Sequence, residues 1–275
     1  MRTRNGSKEF VFQALALAVI VVLVHTAYEL IIRPRAMVAM EQAAEIRETQ
    51  PDVDVPQSLA VILKDYEQEA CFILLFWALA SMAYKGKLLR DDLGLLRREF
   101  IEVEEGKRIL PVDARDLSRQ VQALPEDQRS ALLPRTLLAA LHRFESTRNV
   151  QDVSETVTQI CLTEGERQES ELSMIRYIAW AIPSIGFIGT VRGIGLALSK
   201  AHAAVEGEIG PVTQSLGTAF NSTLIALCLS ILLMFVVHQL QLQQERYVLD
   251  VQDYAEQKLI RHLHVTREAR AELAG

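Results

Sequence analysis

The apolar positions of this chain are gathered into four blocks separated by heavily charged stretches. Phe10–Ile32, FVFQALALAVIVVLVHTAYELII, has the length of a helix that crosses a hydrocarbon core. It is too long for the apolar part of a signal peptide and has no convincing small-residue cleavage site after it, so it reads as a retained anchor. Ala70–Tyr84, ACFILLFWALASMAY, is short; it spans if tilted, if the bilayer thins, or if Leu59–Leu63 extends it. The third block runs from Tyr177 to Leu198 and the fourth from Leu216 to Leu240. Four spans put both termini on one side, and the pattern predicts an all-α integral membrane protein with four transmembrane helices.

The charged stretches also read as helical. Val150, Val153, Val157 and Ile160 recur at helical spacing and lead straight into the third span, and Leu240, Tyr247, Val251, Tyr254 and Leu259 form a second stripe after the fourth. The last two spans are thus expected to extend out of the membrane and pack as a helical bundle. Pro111, Pro125 and Pro134 divide the segment between into short helices. Basic residues near the span ends set the orientation. Arg2, Arg4, Lys8, Lys85, Lys87, Arg90, Arg97, Arg98, Arg167, Arg176 and Arg246 flank one side, against Arg33, Arg35, Arg47, Lys64 and Lys200 on the other. The expected layout is a cytoplasmic N-terminus (1–9), an N-terminal transmembrane pair (10–84) with an external loop (33–69), and a cytoplasmic helical region (85–176). A transmembrane hairpin (177–240), with a short external turn at Ser199–Ser215, and a cytoplasmic C-terminal helix (241–275) complete it.

Composition changes this picture little. The 275 residues are 49% hydrophobic and 6% aromatic with a formal charge of −6, and the absence of a basic tract argues against nucleic acid as a partner. Cys71, Cys161 and Cys228 lie far apart and read as buried apolar fillers. His262 and His264 point to different faces of a helix, which argues against a metal site, and no cofactor motif is expected. His25 and His238, in or at the end of spans, suit interfacial or helix-packing roles.

The unusual stretch is IPSIGFIGTVRGIGLAL, residues 182–198. Its glycines follow neither the dinucleotide G-x-G-x-x-G nor the P-loop G-K-[ST] pattern, and no strand precedes them. Gly189 and Gly193 form a G-x-x-x-G that lets another helix approach closely in lipid, with Gly186 one turn earlier. Pro183 is expected to kink the span and free carbonyls. Arg192 lies about 9 Å from the outer end, where it can snorkel, pair between helices, or act on cations or a partner. With the last two spans antiparallel, Thr190 and Thr223 both fall roughly 11–12 Å below the outer ends. Ala219, Thr223, Ala226 and Ser230 give the fourth span a small, hydroxylated face with Asn221 and Ser222 beside it. Such a face suits either a tight helix contact or the lining of a hydrated path.

GFIGTVRGIG followed by LGTAFNSTLIALCLSI resembles the signature hairpin of the MotA/TolQ/ExbB proton-channel family, specifically over about Ile175–Leu240. The resemblance implies a bacterial inner-membrane channel subunit, a homopentamer around two copies of a single-span MotB/TolR/ExbD-like partner. It further implies that ion flow drives motion of one ring against the other. The path-lining threonines of the family match Thr190 and Thr223. Two departures stand out: Thr218 where ExbB-like members carry a glutamate, and Arg192 where an apolar residue is common. The four-span arrangement with cytoplasmic termini is similar to MotA, the motif residues to TolQ and ExbB.

Neither Tyr177–Leu198 nor Leu216–Leu240 contains Asp or Glu. Hydroxyls and an amide coordinate ions and order water, but do not take up and release protons at physiological pH. The ion pathway is therefore expected at Thr190, Thr218, Asn221, Ser222, Thr223 and Ser230. The titrating aspartate comes, by resemblance, from the partner, and both H+ and Na+ remain open. The rival readings of a non-enzymatic chain are a non-conducting membrane scaffold and a solute transporter.

Overall fold

The computed structural model describes residues 6–49, 58–98, 100–101, 108–205, 207 and 209–264. Parts of the expected N-terminal segment (1–5), external loop (50–57), cytoplasmic region (99 and 102–107), external turn (206 and 208) and C-terminal helix (265–275) lie outside the described residues. In chain order the elements are α1 (Gly6–Ala27), a π-helical turn (Tyr28–Ile32), α2 (Arg33–Thr49), α3 (Leu59–Leu63) and α4 (Tyr66–Leu96). They continue as α5 (Asp113–Gln122), α6 (Glu126–Arg129), α7 (Leu132–Thr147), α8 (Val150–Ser199), α9 (Ala201–Val205), α10 (Gly210–Lys258) and a 3-10 turn (Ile260–His262). Glu9–Ile46, Tyr66–Leu96, Val150–Ser199 and Gly210–His262 are long and apolar enough to cross a membrane. The chain is thus an α-helical, multi-pass membrane protein.

Three boundaries differ from those expected. The first helix does not end at Ile32: apolarity stops there, but RAMVAMEQAAEIRET continues with strong helix formers as far as Thr49. The π-helical turn precedes Pro34, whose ring would clash with a carbonyl of a regular turn before it, and the Arg33 N–H bonds instead to the Tyr28 carbonyl five residues back. The second apolar block sits in a 31-residue helix, about 46 Å long at 1.5 Å per residue, so its length no longer restricts it. The C-terminal helix stops at Lys258. Beyond it the chain pairs with Ile109, whose N–H donates to the His262 carbonyl and whose carbonyl accepts from His264 N–H.

Contacts divide the chain into two compact units. One comprises Gly6–Ala83 and Met174–His238. Its α1 turns Phe10, Leu15 and Val22 outward, a surface made for hydrocarbon, while Trp77 Nε1 of α4 ties it at the Gln13 carbonyl. The other comprises Tyr84–Ser173 and the described residues from Gln239 on. Its core gathers Leu133, Leu137, Leu141 and Phe144 of α7, Val153 and Val157 of α8, Tyr247 and Val251 of α10, and Leu259 just after it. The three prolines act as expected there: Pro111 and Pro125 precede α5 and α6, and Pro134 occupies the first turn of α7, where its missing N–H costs nothing.

Glu164 is buried among that core and is bound by Arg135 Nη2 at 2.7 Å and Arg167 Nη2 at 2.5 Å. Burial pushes its carboxyl up, but the hydrogen bonds from Arg167 and Arg135 outweigh it and hold the group below the usual carboxylate range. A depressed folded value gives stability that is present above the unfolded carboxylate range and is lost as pH falls through the folded value. Glu164→Gln should therefore lower stability by about 1–3 kcal/mol at neutral pH. It should also flatten the acid limb, both read by thermal denaturation in detergent across pH.

Candidate functional site

α8 and α10 meet along a seam of small residues. A Cβ on Gly186 would stand 2.4 Å from Ala226 Cβ, one on Gly189 2.7 Å from Ser222 Cβ, and one on Gly193 2.6 Å from Ala219 Cβ. Gly195 faces open space. Glycine is thus required at three positions by backbone proximity, and the pairing order shows the helices to be antiparallel. Ser215, Ala219, Ser222, Ala226 and Ser230 form the buried face of α10. Of the two uses left open for a small, hydroxylated face, the tight helix contact is the one found within a single chain.

Thr190 and Thr223 lie on the flank of this seam, half-buried, and their hydroxyls touch. Thr190 Oγ1 also donates to the Ala219 carbonyl at 3.0 Å and Thr223 Oγ1 to the Gly186 carbonyl at 3.0 Å, each across the seam. Two hydroxyl protons have three acceptors there: two carbonyls and one another. The pair therefore carries surplus lone pairs, which can accept from water or coordinate a cation and cannot supply a titrating proton.

Pro183 does not interrupt α8. It has no N–H to give the Ala179 carbonyl one turn back, and Ser230 Oγ fills the vacancy from α10 at 2.9 Å. Ser230 is thus buried and committed to the seam. Ser222, also buried, donates to the Thr218 carbonyl at 3.2 Å; Thr218 and Asn221 are half-buried, and Asn221, two residues from Thr223 on the same helix, faces nearly the opposite side. Cys71 and Cys161 are buried, and burial raises the Cys161 thiol to about 11. Cys228 is exposed, contrary to expectation, because the packed face of α10 passes through Ala226 and Ser230 and turns position 228 outward.

Arg192 makes an interhelical ion pair: its Nη2 lies 2.8 Å from Glu67 Oε2 and 3.8 Å from Asp65 Oδ1. Nearby, Glu69 receives His25 Nδ1 at 2.7 Å and Arg33 Nη2 at 2.5 Å, and Arg33 lies 4.0 Å over the Tyr66 ring. These acids open α4, well away from the hairpin in sequence, and sequence reasoning missed them. One signal was available: a cation inside a span needs a partner, and YEQEACFILL offers acids at the edge of an apolar block.

Residues 128–253 match the model of the MotA/TolQ/ExbB proton channel family. That segment, a little under half of the chain, is similar to the family. It covers α7, α8 and nearly all of α10, hence both threonines and all three seam glycines. The likeness is to proton-channel-type membrane subunits, a family of channels and not of enzymes. No curated protein and no solved structure matches the chain significantly.

Two outcomes test the seam. Ser230→Ala should destabilise the protein by about 1–2 kcal/mol by leaving the Ala179 carbonyl without a donor, and by much less when Pro183→Ala restores an N–H there. A double-mutant cycle in detergent unfolding measures the coupling. Gly186→Ala should disrupt assembly and Ala226→Gly should rescue it, whereas Gly195→Ala should be silent, as read by the elution position of the purified protein.

Proposed function

We propose that this chain is the channel subunit of an inner-membrane motor that couples H+ or Na+ flow to mechanical work through a single-span MotB/TolR/ExbD-like partner. The observation that carries the reading is the contact of Thr190 with Thr223 inside a family-matched hairpin whose two spans, Tyr177–Leu198 and Leu216–Leu240, contain no acid. Paired hydroxyls rich in lone pairs can strip or relay water around a cation, and the titrating carboxylate of the full channel comes from the partner's membrane aspartate. Thr218, Asn221 and Ser222 are included in the proposed path for their ion-coordinating groups, and Ser230 stabilises the helix that carries it.

The rest of the proposed assembly rests on likeness to that family. The chain is a homopentamer around two partner helices, with both termini in the cytoplasm, transmembrane segments within 10–84 and 177–240, and helices of 85–176 and 241–275 packed on the cytoplasmic side. α8 supports this layout: at about 75 Å it is far longer than the roughly 30 Å of hydrocarbon, so much of it projects from the membrane. The non-conducting scaffold draws on a specific observation too, since the small-residue seam is fully used in packing one chain.

Thr223→Val separates the two. It keeps the volume and removes the hydroxyl, so assembly should survive while cation flux into proteoliposomes, made with the product of the adjacent gene, should fall to background under H+ and Na+ gradients alike. Flux at the wild-type level in the variant would overturn the assignment of the path to the threonine pair, and no flux through folded wild type would leave the scaffold.

A further inference from the structure

Within the unit that holds Tyr84–Ser173 and the described residues from Gln239 on, α8 and α10 leave a cleft of about 480 Å³. It is lined by fully buried Leu172 and by Leu162 and Leu249, which are 58% and 60% exposed. Glu166, Glu169 and Glu245 stand around it, and no Lys or Arg is among its lining residues. Gln168, also in the lining, adds a sign independent of charge. Its Nε2 donates to Glu164 at 3.4 Å, while its Oε1 is buried with no donor among the described residues. A buried acceptor left open in this way calls for a donor brought from outside.

α4 carries the complementary surface. Lys87, Arg90, Gly94 and Arg97 are exposed at spacings of three, four and three, which is one face of a helix, with Asp91 the exposed acid beside them. None of the three cations pairs with a described residue. Lys85 fixes where this face points, because its Nζ lies 3.0 Å from Glu171 of α8. At 3.6 residues per turn, Lys87, Arg90 and Arg97 fall about 120–200° round α4 from Lys85, and Glu169, Glu166 and Leu162 about 160–220° round α8 from Glu171. The cationic face and the acidic cleft thus look away from the α4–α8 contact on opposite sides of the chain. Their heights also match. Lys87 and Arg90 lie two and five residues beyond Lys85, and Glu169 and Glu166 two and five residues before Glu171, about 3 and 8 Å from the shared ion pair along each helix.

Copies related by rotation about the membrane normal keep each residue at one height. A head-to-tail contact between them must therefore join surfaces of equal depth on opposite sides of the chain. These two surfaces meet both conditions and are opposite in charge. We propose that the α8–α10 cleft receives the Lys87–Arg97 face of α4 from a second copy of this chain, its cations meeting Glu166, Glu169 and Glu245 and supplying the donor that Gln168 lacks. Each copy gives one surface and takes the other, so repetition of the contact generates a ring. An anionic lipid headgroup would meet three acids there and be repelled. The inference rests on reading the chain as a self-assembling membrane subunit, and it names the surfaces through which the copies join.

Photochemical cross-linking tests it in membranes holding the full chain with the adjacent gene's product, two differently tagged copies being expressed together. The photoprobe p-benzoylphenylalanine replaces Leu249 in one copy, and mass spectrometry reads where it attaches. Attachment to residues 87–97 of the other copy is expected. Lys87→Glu with Arg90→Glu in that other copy should cut the yield about tenfold or more, and Glu166→Lys with Glu245→Lys in the probe-bearing copy should restore it. Attachment to a lipid, to a different protein, within the same chain or elsewhere on the second copy overturns the proposal, as does no attachment or a yield indifferent to charge reversal. Should the reversed copies fail to accumulate, the attachment map of the unreversed pair decides alone. Copies that do not co-purify overturn self-assembly and this contact together; copies that co-purify while the probe attaches elsewhere overturn the contact alone.

Discussion

The backbone approach of α8 to α10 at Gly186, Gly189 and Gly193 is the constraint on which the hairpin depends. In lipid there is no hydrophobic drive between two apolar helices, so close van der Waals contact and hydrogen bonds must hold them together. The missing side chains supply the first and make the second geometrically possible. Short hydroxyl side chains span the gap only because it is narrow: Thr190 to Ala219, Thr223 to Gly186, Ser230 to Ala179. Larger residues at the three glycines would separate the helices and leave those carbonyls and hydroxyls unpaired in hydrocarbon, where each costs several kcal/mol by order of magnitude.

The seam also arranges the chemistry around it. Hydroxyls line the close contact, while charges enter from α4 at one end and are balanced as they enter: Glu67 with Arg192, Glu69 with His25 and Arg33. The same solution recurs in the unit formed by α7, α8 and α10, where buried Glu164 sits between two arginines. In both places a carboxylate stays in a dry setting because more than one donor meets it.

Much of this was legible in the sequence because it is periodic or chemically singular. Four apolar blocks, two helical stripes and three prolines gave the helices of both units, and the equal depth of Thr190 and Thr223 followed from counting residues. What escaped lacks a local pattern. Hydropathy marks where a helix leaves hydrocarbon, not where it ends, so α2 falls within an expected loop and α4 outruns its apolar block. The seam centre was placed through Thr223 because Ser222 and Thr223 fit a small stripe about equally, and only the backbone fit to Gly189 selects Ser222. The approach of Glu67 to Gly189 joins positions far apart in the chain, and no spacing rule reaches that far.

The π-helical turn at Tyr28–Ile32 has a geometric consequence of its own. In a regular helix, residues eight apart are rotated about 80° from one another, whereas those seven apart nearly coincide. His25 and Arg33 are eight apart, yet they grip opposite oxygens of one carboxylate, Oε1 and Oε2 of Glu69. The wide turn absorbs one residue and so restores the alignment that seven would have given. The turn works as a phase shifter, letting the helix take in an additional residue ahead of Pro34 while the His25 and Arg33 side chains stay in step.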